Sequence, residues 1–161
     1  MSKACPERPA KPAGRRARSL SRSAARLAAV QALYQHEMEG TPRAKLLDEF
    51  HQHRLGRAIE DDQYAEPDVD FFDDLVTGTL ARHDEIDALL SAKLTVSWRL
   101  DRLDKTLLQI LRAGAYELLA RADIPVGTAI SEYVDVAHAF FDERDARIVN
   151  GVLDAVAKAV R

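Results

Sequence analysis

The 161-residue chain holds a single cysteine, Cys5, so it has neither a disulfide framework nor a set of thiolate metal ligands. No stretch reaches the roughly 18 consecutive apolar residues of a membrane span, and the N-terminus lacks the apolar run of a secretory signal. A soluble, cytoplasmic protein with no membrane contact is expected. Strand-type alternation of apolar and polar residues is missing throughout, which argues against a sheet-built core. There is no glycine-rich phosphate loop, no zinc-type spacing of Cys and His, and no serine nucleophile elbow. The chain therefore reads as a binding protein rather than an enzyme, with no cofactor and no metal. No repeat of solenoid period stands out either.

Charge is present, and it is unevenly distributed. The first 26 residues carry eight Lys or Arg against one acid, Glu7, giving a leader of +7 on a body of −10, although the whole chain is only −3. A basic arm on an acidic body attracts polyanions at one end, which makes nucleic acid the first partner to consider. Pro6, Pro9, Pro12 and Gly14 interrupt the leader, and no large apolar residue lies between Met1 and Leu20. Such a segment buries too little surface to offset its ordering entropy, so residues 1–20 are expected to form a disordered basic arm. Residues 21–161, within a chain that is 47% hydrophobic, are expected to form one folded domain.

Within that domain the period is helical. A first helix is predicted from Ser23 until Gly40 stops it. Thr41 and Pro42 read as N-cap and first residue of a second helix ending near Gly56, and residues 57–66 read as a polar loop. Pro67 opens one long helix with apolar positions from Phe71 to Leu90, containing Gly78. After a break around 95–98, the run from Leu103 to Leu119 is apolar on more than one face and is expected to be the buried central helix. Ile124-Pro125 closes that region, because a residue before proline is pushed out of helical geometry. A fifth helix carries Ile130, Tyr133, Val134, Ala137, Phe140 and Phe141, and Asp145 is the expected N-cap of a sixth. The fold class is all-α, a compact bundle of about six or seven helices.

The basic residues are the most informative chemistry. Arg22 and Arg26 lie four apart and share a helix face, while Arg15, Arg16 and Arg18 precede them on a segment free to follow a phosphate backbone. With about five such contacts, log affinity for single-stranded RNA falls against log salt with a slope of about −3.5. Tyr34 lies two turns beyond Arg26. Its pattern favours core packing, whereas a ring at the surface would stack on an unpaired base. His51 and His53 stand two apart and point to different helix faces, which is wrong for a metal pair. Asp61-Asp62, Asp73-Asp74 and Asp84-Glu85 read as solvated faces. Asn150-Gly151 would mark a turn, yet Ile148, Val149, Val152 and Leu153 around it demand a helix. Gly151 inside that helix suggests close approach by another helix or a partner.

Taken in order, several blocks resemble one family. They are Arg22-Ser23-Ala24-Ala25-Arg26 leading into Ala29-Val30-Gln31-Ala32-Leu33-Tyr34, Ile110-Leu111-Arg112 through Tyr116-Glu117-Leu118, Asp123-Ile124-Pro125, Ala129-Ile130-Ser131-Glu132, and Val149-Asn150-Gly151-Val152-Leu153-Asp154. This series resembles the NusB family of bacterial transcription antitermination factors. The resemblance implies a helical fold of two packed subdomains without enzymatic activity. It also implies binding of boxA-type single-stranded RNA jointly with NusE, a small-subunit ribosomal protein, in the antitermination complex of RNA polymerase during ribosomal RNA synthesis.

Residue by residue, the resemblance places Arg22, Arg26 and Tyr34 at RNA-contacting positions. Ser23 and Ala24 stand where the family often has arginine, and Arg15, Arg16 and Arg18 compensate from upstream. Arg147 and Ile148 fall at a further RNA position, where Ile148 replaces a frequent phenylalanine. Arg144 and Asp145 fall near the expected NusE interface. Such a protein acts as a monomer or as a homodimer that hides its RNA surface. The competing readings are a helical interaction scaffold with a nonspecific basic tail, and a fragment of a ribosomal RNA methyltransferase with a similar helical domain. A whole methyltransferase would require a cofactor-binding sheet and a catalytic cysteine, and this chain has neither, so that reading holds only for a fragment.

Overall fold

The computed structural model describes residues 10–54, 67–94 and 99–161. Among these residues the chain forms seven α-helices and no strand. The loop expected at 57–66 with Asp61-Asp62, the end of the second helix near Gly56, and the break at 95–98 lie outside the described residues.

Helix α1 (Ala10–Glu39) is 30 residues long. It starts well before the expected Ser23, so residues 10–20 are helical rather than an arm without fixed structure. Ala10, Ala13, Ala17 and the arginines are strong helix formers, and extending an existing helix costs far less than nucleating one. Pro12 sits in the first turn, where its missing N–H would have had no intrahelical partner. At the other end Gly40, with φ of 71°, adopts the left-handed conformation that stops the helix. Between them Ala25, Ala29, Val30, Ala32 and Leu33 are buried, and the small alanines let neighbouring helices approach closely.

Helix α2 (Arg43–Glu49) runs into a π-helical turn, Phe50–Arg54. Its N-cap is Pro42 rather than Thr41, which is buried one residue earlier. Phe50 stacks on Phe72 of the next helix with ring centroids 5.6 Å apart. The single helix expected from Pro67 to Leu90 is two, α3 (Val69–Ala81) and α4 (His83–Lys93), separated at Arg82. The apolar period continues across the break, so spacing alone does not reveal it. Locally, Arg82 leaves helical geometry (φ −108°, ψ 27°), and its guanidinium turns onto Glu85 at 2.9 Å.

Helix α5 (Lys105–Ala120) is the predicted central helix, with every residue from Leu107 to Leu118 buried. Asp104 caps it by accepting from the N–H groups of Thr106 and Leu107. Helix α6 (Val126–Phe140) follows Pro125, and α7 (Glu143–Val160) packs on α5 and α6. The N-cap of α7 is Asp142, whose carboxylate accepts from the N–H of Asp145; Asp145 itself is two residues inside the helix. Helices α1–α3 pack against α4–α7 through α5. Arg112 joins the two groups, donating to Asp87 of α4 (2.8 Å) and Glu37 of α1 (3.0 Å).

The glycines correct another expectation. Among the described residues nothing lies within 4 Å of a Cβ built on Gly151, so of the two expected neighbours, another helix or a partner, no described helix approaches it. The close approaches are at Gly78, against the Tyr116 ring, and at Gly114, where a Cβ would sit 2.7 Å from Leu153.

Candidate nucleic-acid interface

The basic residues of α1 fall into two groups. Arg15, Arg16 and Arg18 are exposed on the first turns, ahead of the packed part of the helix. Arg22 and Arg26, on the same helix face, reach the body. Arg22 keeps 30% of its side chain exposed, stands 3.7 Å from Asp68, and lies over the Phe71 ring at 4.9 Å. Arg26 is only 3% exposed.

The burial of Arg26 changes its part in the site. Its Nε and Nη2 form a two-pronged bond to the Glu117 carboxylate at 2.9 and 2.6 Å, and Nη1 stands 3.2 Å from Glu132. Tyr133 donates its hydroxyl to the same Glu117 at 2.9 Å. Burial works against the charge of Arg26, but the hydrogen bonds and charge of Glu117 outweigh it and raise the pKa. Burial, with the charge of Glu117, pushes the Tyr133 hydroxyl well above its usual value. Arg26 was expected to meet a phosphate. Its guanidinium is instead committed to the buried Glu117 and the half-buried Glu132, because its helix position faces the core.

Phe71 is the hub that sequence reasoning missed. The guanidiniums of Arg22, Arg26 and Arg121 all lie 4.9–5.1 Å from its ring centre. Such contacts contribute up to about 2 kcal/mol each when desolvated. Arg121 also holds Asp123 (3.0 Å) and Asp74 (3.1 Å); its donated hydrogen bonds keep Asp123 below the usual carboxylate range. Asp73-Asp74 is therefore not a merely solvated face: Asp74 accepts from Tyr116 at 2.7 Å, and Asp73 pairs with His51 at 2.6 Å. Among the described residues no group of three or more His, Cys, Asp or Glu is placed to hold a metal.

Two of the clefts that border α1 among the described residues hold site residues. Arg15, Arg18, Ser19 and Arg22 face Pro125 and Thr128 at the start of α6 across about 200 Å³, with Asp123 and Glu132 also lining the space. Further along, Tyr34 is 38% exposed, contrary to the core packing its pattern suggested. It borders a second cleft of about 320 Å³. Phe140, expected in the core of the fifth helix, is 45% exposed at the same cleft. Phe141, extended just beyond the helix end, packs partly against the core.

The remaining expected residues lie on α7. Arg144, Arg147 and Ile148 share one face at three- and four-residue spacing. Arg144 and Arg147 are exposed, Asp145 is half-buried, and Ile148 is half-buried against the core. The arm residues and Tyr34 thus share α1, while this second set sits on an element packed chiefly on α5 and α6. No helix among the described residues is long and apolar enough to cross a membrane.

Comparison with known proteins identifies the family. The model of the NusB family matches residues 23–158. The chain is 71% identical to the transcription antitermination protein NusB of Novosphingobium aromaticivorans over 88% of its own length and 95% of that protein. It is 65% identical to that of Sphingopyxis alaskensis over 89% of its length and 97% of that protein. Its fold matches NusB of T. maritima (TM-score 0.69, 31% identity), covering 85% of this chain and 90% of that one. It also matches a structure of antitermination factors NusB and NusE in complex with double-stranded RNA (TM-score 0.72, 27% identity), covering 86% of this chain and 97% of that one. With a family match over residues 23–158 and relatives this similar over most of their length, the chain belongs to the NusB family of transcription antitermination proteins.

Proposed function

We propose that this protein binds boxA-type single-stranded RNA together with NusE, and in that complex helps RNA polymerase transcribe ribosomal RNA processively in the cytoplasm. The observation that carries this reading is the run of exposed arginines on one end of α1, continuous with the helix that presents Tyr34. The relatives named antitermination proteins, and the similar fold described with NusE and RNA, support it.

In this reading the residues divide the work. Arg15, Arg16, Arg18 and Arg22 supply charge to the RNA backbone, and Tyr34 offers a ring to a base. Arg26 contributes by fixing α1 on Glu117, which holds Arg22 and the exposed turns ahead of it in place. Arg147 and Ile148 extend the surface on α7; Ile148 supplies apolar contact without a π face. Arg144 and Asp145 at the start of α7 meet NusE, and the acidic body suits a basic ribosomal protein. Joint contacts raise the effective concentration of the second partner, so the two proteins bind RNA more tightly together than either does alone.

An anisotropy titration with a boxA-type RNA, a scrambled RNA and a duplex of the same sequence, with and without NusE, tests the reading. Tighter binding to the single boxA strand, improved by NusE, is the expected result. With the three exposed arginines and the half-buried Arg22 on phosphates, log affinity falls against log salt with a slope of about −2.8, shallower than the −3.5 expected for about five contacts. Equal weak binding to all three RNAs regardless of NusE would reduce the arm to a nonspecific polyanion binder.

A further inference from the structure

We propose that Ser19 is a phosphorylation site, and that a phosphate on its hydroxyl draws in the arginines of α1 and withdraws them from RNA. The inference rests on the RNA-binding reading above and adds to it a means of regulating the same surface.

Access singles out one serine. Helix α1 carries Ser19, Ser21 and Ser23, and the fold distinguishes them. Ser23 is half-buried and donates its hydroxyl to Glu132 at 2.6 Å. Ser21 is half-buried where its carbonyl accepts from the N–H of Asp68 at 3.1 Å. Ser19 is exposed, and its hydroxyl has no hydrogen-bond partner among the described residues. Of the three it is the one that an enzyme reaches without undoing a contact.

Charge then favours a phosphate there. Arg15 and Arg16 stand four and three residues before Ser19, and Arg22 stands three after it. All three share its side of α1, with Cβ atoms about 5–6 Å from that of Ser19. Arg15, Arg18 and Arg22 line with Ser19 the cleft facing Pro125 and Thr128. Arg15, Arg16 and Arg18 have no carboxylate partner among the described residues. Arg22 stands 3.7 Å from Asp68, and its Nε is buried without a hydrogen-bond partner. The two carboxylates that line the cleft are engaged elsewhere, Glu132 by Arg26 and Ser23, and Asp123 by both prongs of Arg121. Guanidinium donors thus exceed acceptors around Ser19, which suits a phosphate monoester.

The transfer needs a nucleoside triphosphate and a serine kinase. The Ser19 Oγ attacks the γ-phosphorus, the bond to the bridging oxygen breaks, the nucleoside diphosphate leaves, and the hydroxyl proton passes to the kinase's base. The product adds about −1.5 to −2 charges and three acceptor oxygens. Arg15 and Arg16 then pair within their own helix, so about two of the four phosphate contacts to RNA are lost. The slope of log affinity against log salt falls from about −2.8 to about −1.4, which is a loss of about 10-fold at physiological salt.

The test uses the full chain with phosphoserine installed at position 19 during translation, beside the unmodified chain and Ser19→Ala, each with NusE and a boxA-type RNA. Circular dichroism confirms that each is folded. The phosphorylated chain should show the 10-fold loss and the shallower slope, while Ser19→Ala keeps wild-type affinity. By phosphorus NMR, the second ionisation of the phosphoserine should lie below its midpoint in urea, because neighbouring guanidiniums favour the dianion, and Arg15→Gln with Arg16→Gln should restore it. With ATP and an arginine-directed serine kinase, mass spectrometry should find phosphate on Ser19 before Ser21 or Ser23. Unchanged RNA affinity and slope, a midpoint equal to that in urea, or earlier modification of Ser21 or Ser23 would overturn the proposal. An unmodified chain with no RNA affinity would refute the function on which it rests, and the phosphorus titration would still decide whether the arginines take the phosphate.

Discussion

Replacing Arg26 with alanine separates an arginine that holds the fold from arginines that hold RNA. Glu117, fully buried, would lose both prongs of the guanidinium and keep only the hydrogen bond from Tyr133. Removing one partner of a buried ion pair leaves an uncompensated charge and costs about 3–5 kcal/mol. In a chain of this size that lowers the melting temperature by about 6–20 °C. The pair as a whole is worth less than this loss suggests, so Arg26→Met combined with Glu117→Gln should recover more than half of it. Thermal unfolding by circular dichroism measures both variants. At a temperature where Arg26→Ala is folded, its RNA affinity should keep the wild-type salt slope, because Arg26 meets no phosphate. Arg22→Ala should show the reverse, a shallower slope with little change in melting. A loss below about 1 kcal/mol for Arg26→Ala, the scale of exposed pairs, would refute the argument and return Arg26 to the RNA surface.

Other consequences concern the supports of the site. Arg161 donates to the carbonyls of Leu118 (3.0 Å), Ile124 (2.7 Å) and Arg121 (2.6 Å), closing the end of α5. Arg161→Ala should therefore cost about 1–3 kcal/mol, read as a lower urea midpoint at unchanged slope; an unmoved midpoint would disprove it. Gly78→Ala drives a methyl into the Tyr116 ring and should destabilise by about 1–3 kcal/mol, whereas Gly151→Ala enters open space and should stabilise by up to about 1 kcal/mol. Reversal of that order in chemical unfolding would count against the packing described. Burial, then the hydrogen bond to Asp74, pushes the Tyr116 hydroxyl up to about 12. The folded state thus holds this proton more tightly than the unfolded state, whose tyrosine titrates near about 10, and stability falls as pH climbs between the two values. Tyr116→Phe should flatten that decline, and an unchanged alkaline profile would show that Tyr116 does not cause it.

Much of the fold was legible because burial imposes a period on the chain. The central helix α5 announced itself by being apolar on several faces, and it is buried from Leu107 to Leu118. Gly40 and Pro125 were readable as boundaries because their backbone limits are intrinsic. The break at Arg82 was not legible, since α3 and α4 keep one apolar rhythm while changing direction. The start of α1 was misjudged for a different reason. Composition measures how much surface a segment can bury, but residues 10–20 extend a helix already nucleated by the buried residues behind them.

The site divides along the same line. Sequence alone determined the all-helical class, the basic end of the molecule, the family resemblance and which residues carry charge or rings. Tertiary structure decided which of those groups are available. Arg22 and Arg26 are identical side chains one turn apart, yet only Arg26 finds the buried carboxylate of Glu117, with the half-buried Glu132 beside it. Tyr34 and Phe140 look like core residues in a linear pattern and meet at an open cleft only after α1 packs on α6. Composition and periodicity are properties of neighbouring residues. Whether a guanidinium is spent on a carboxylate, or a ring is left to water, depends on partners about ninety or a hundred residues away, and only the packed chain brings those together.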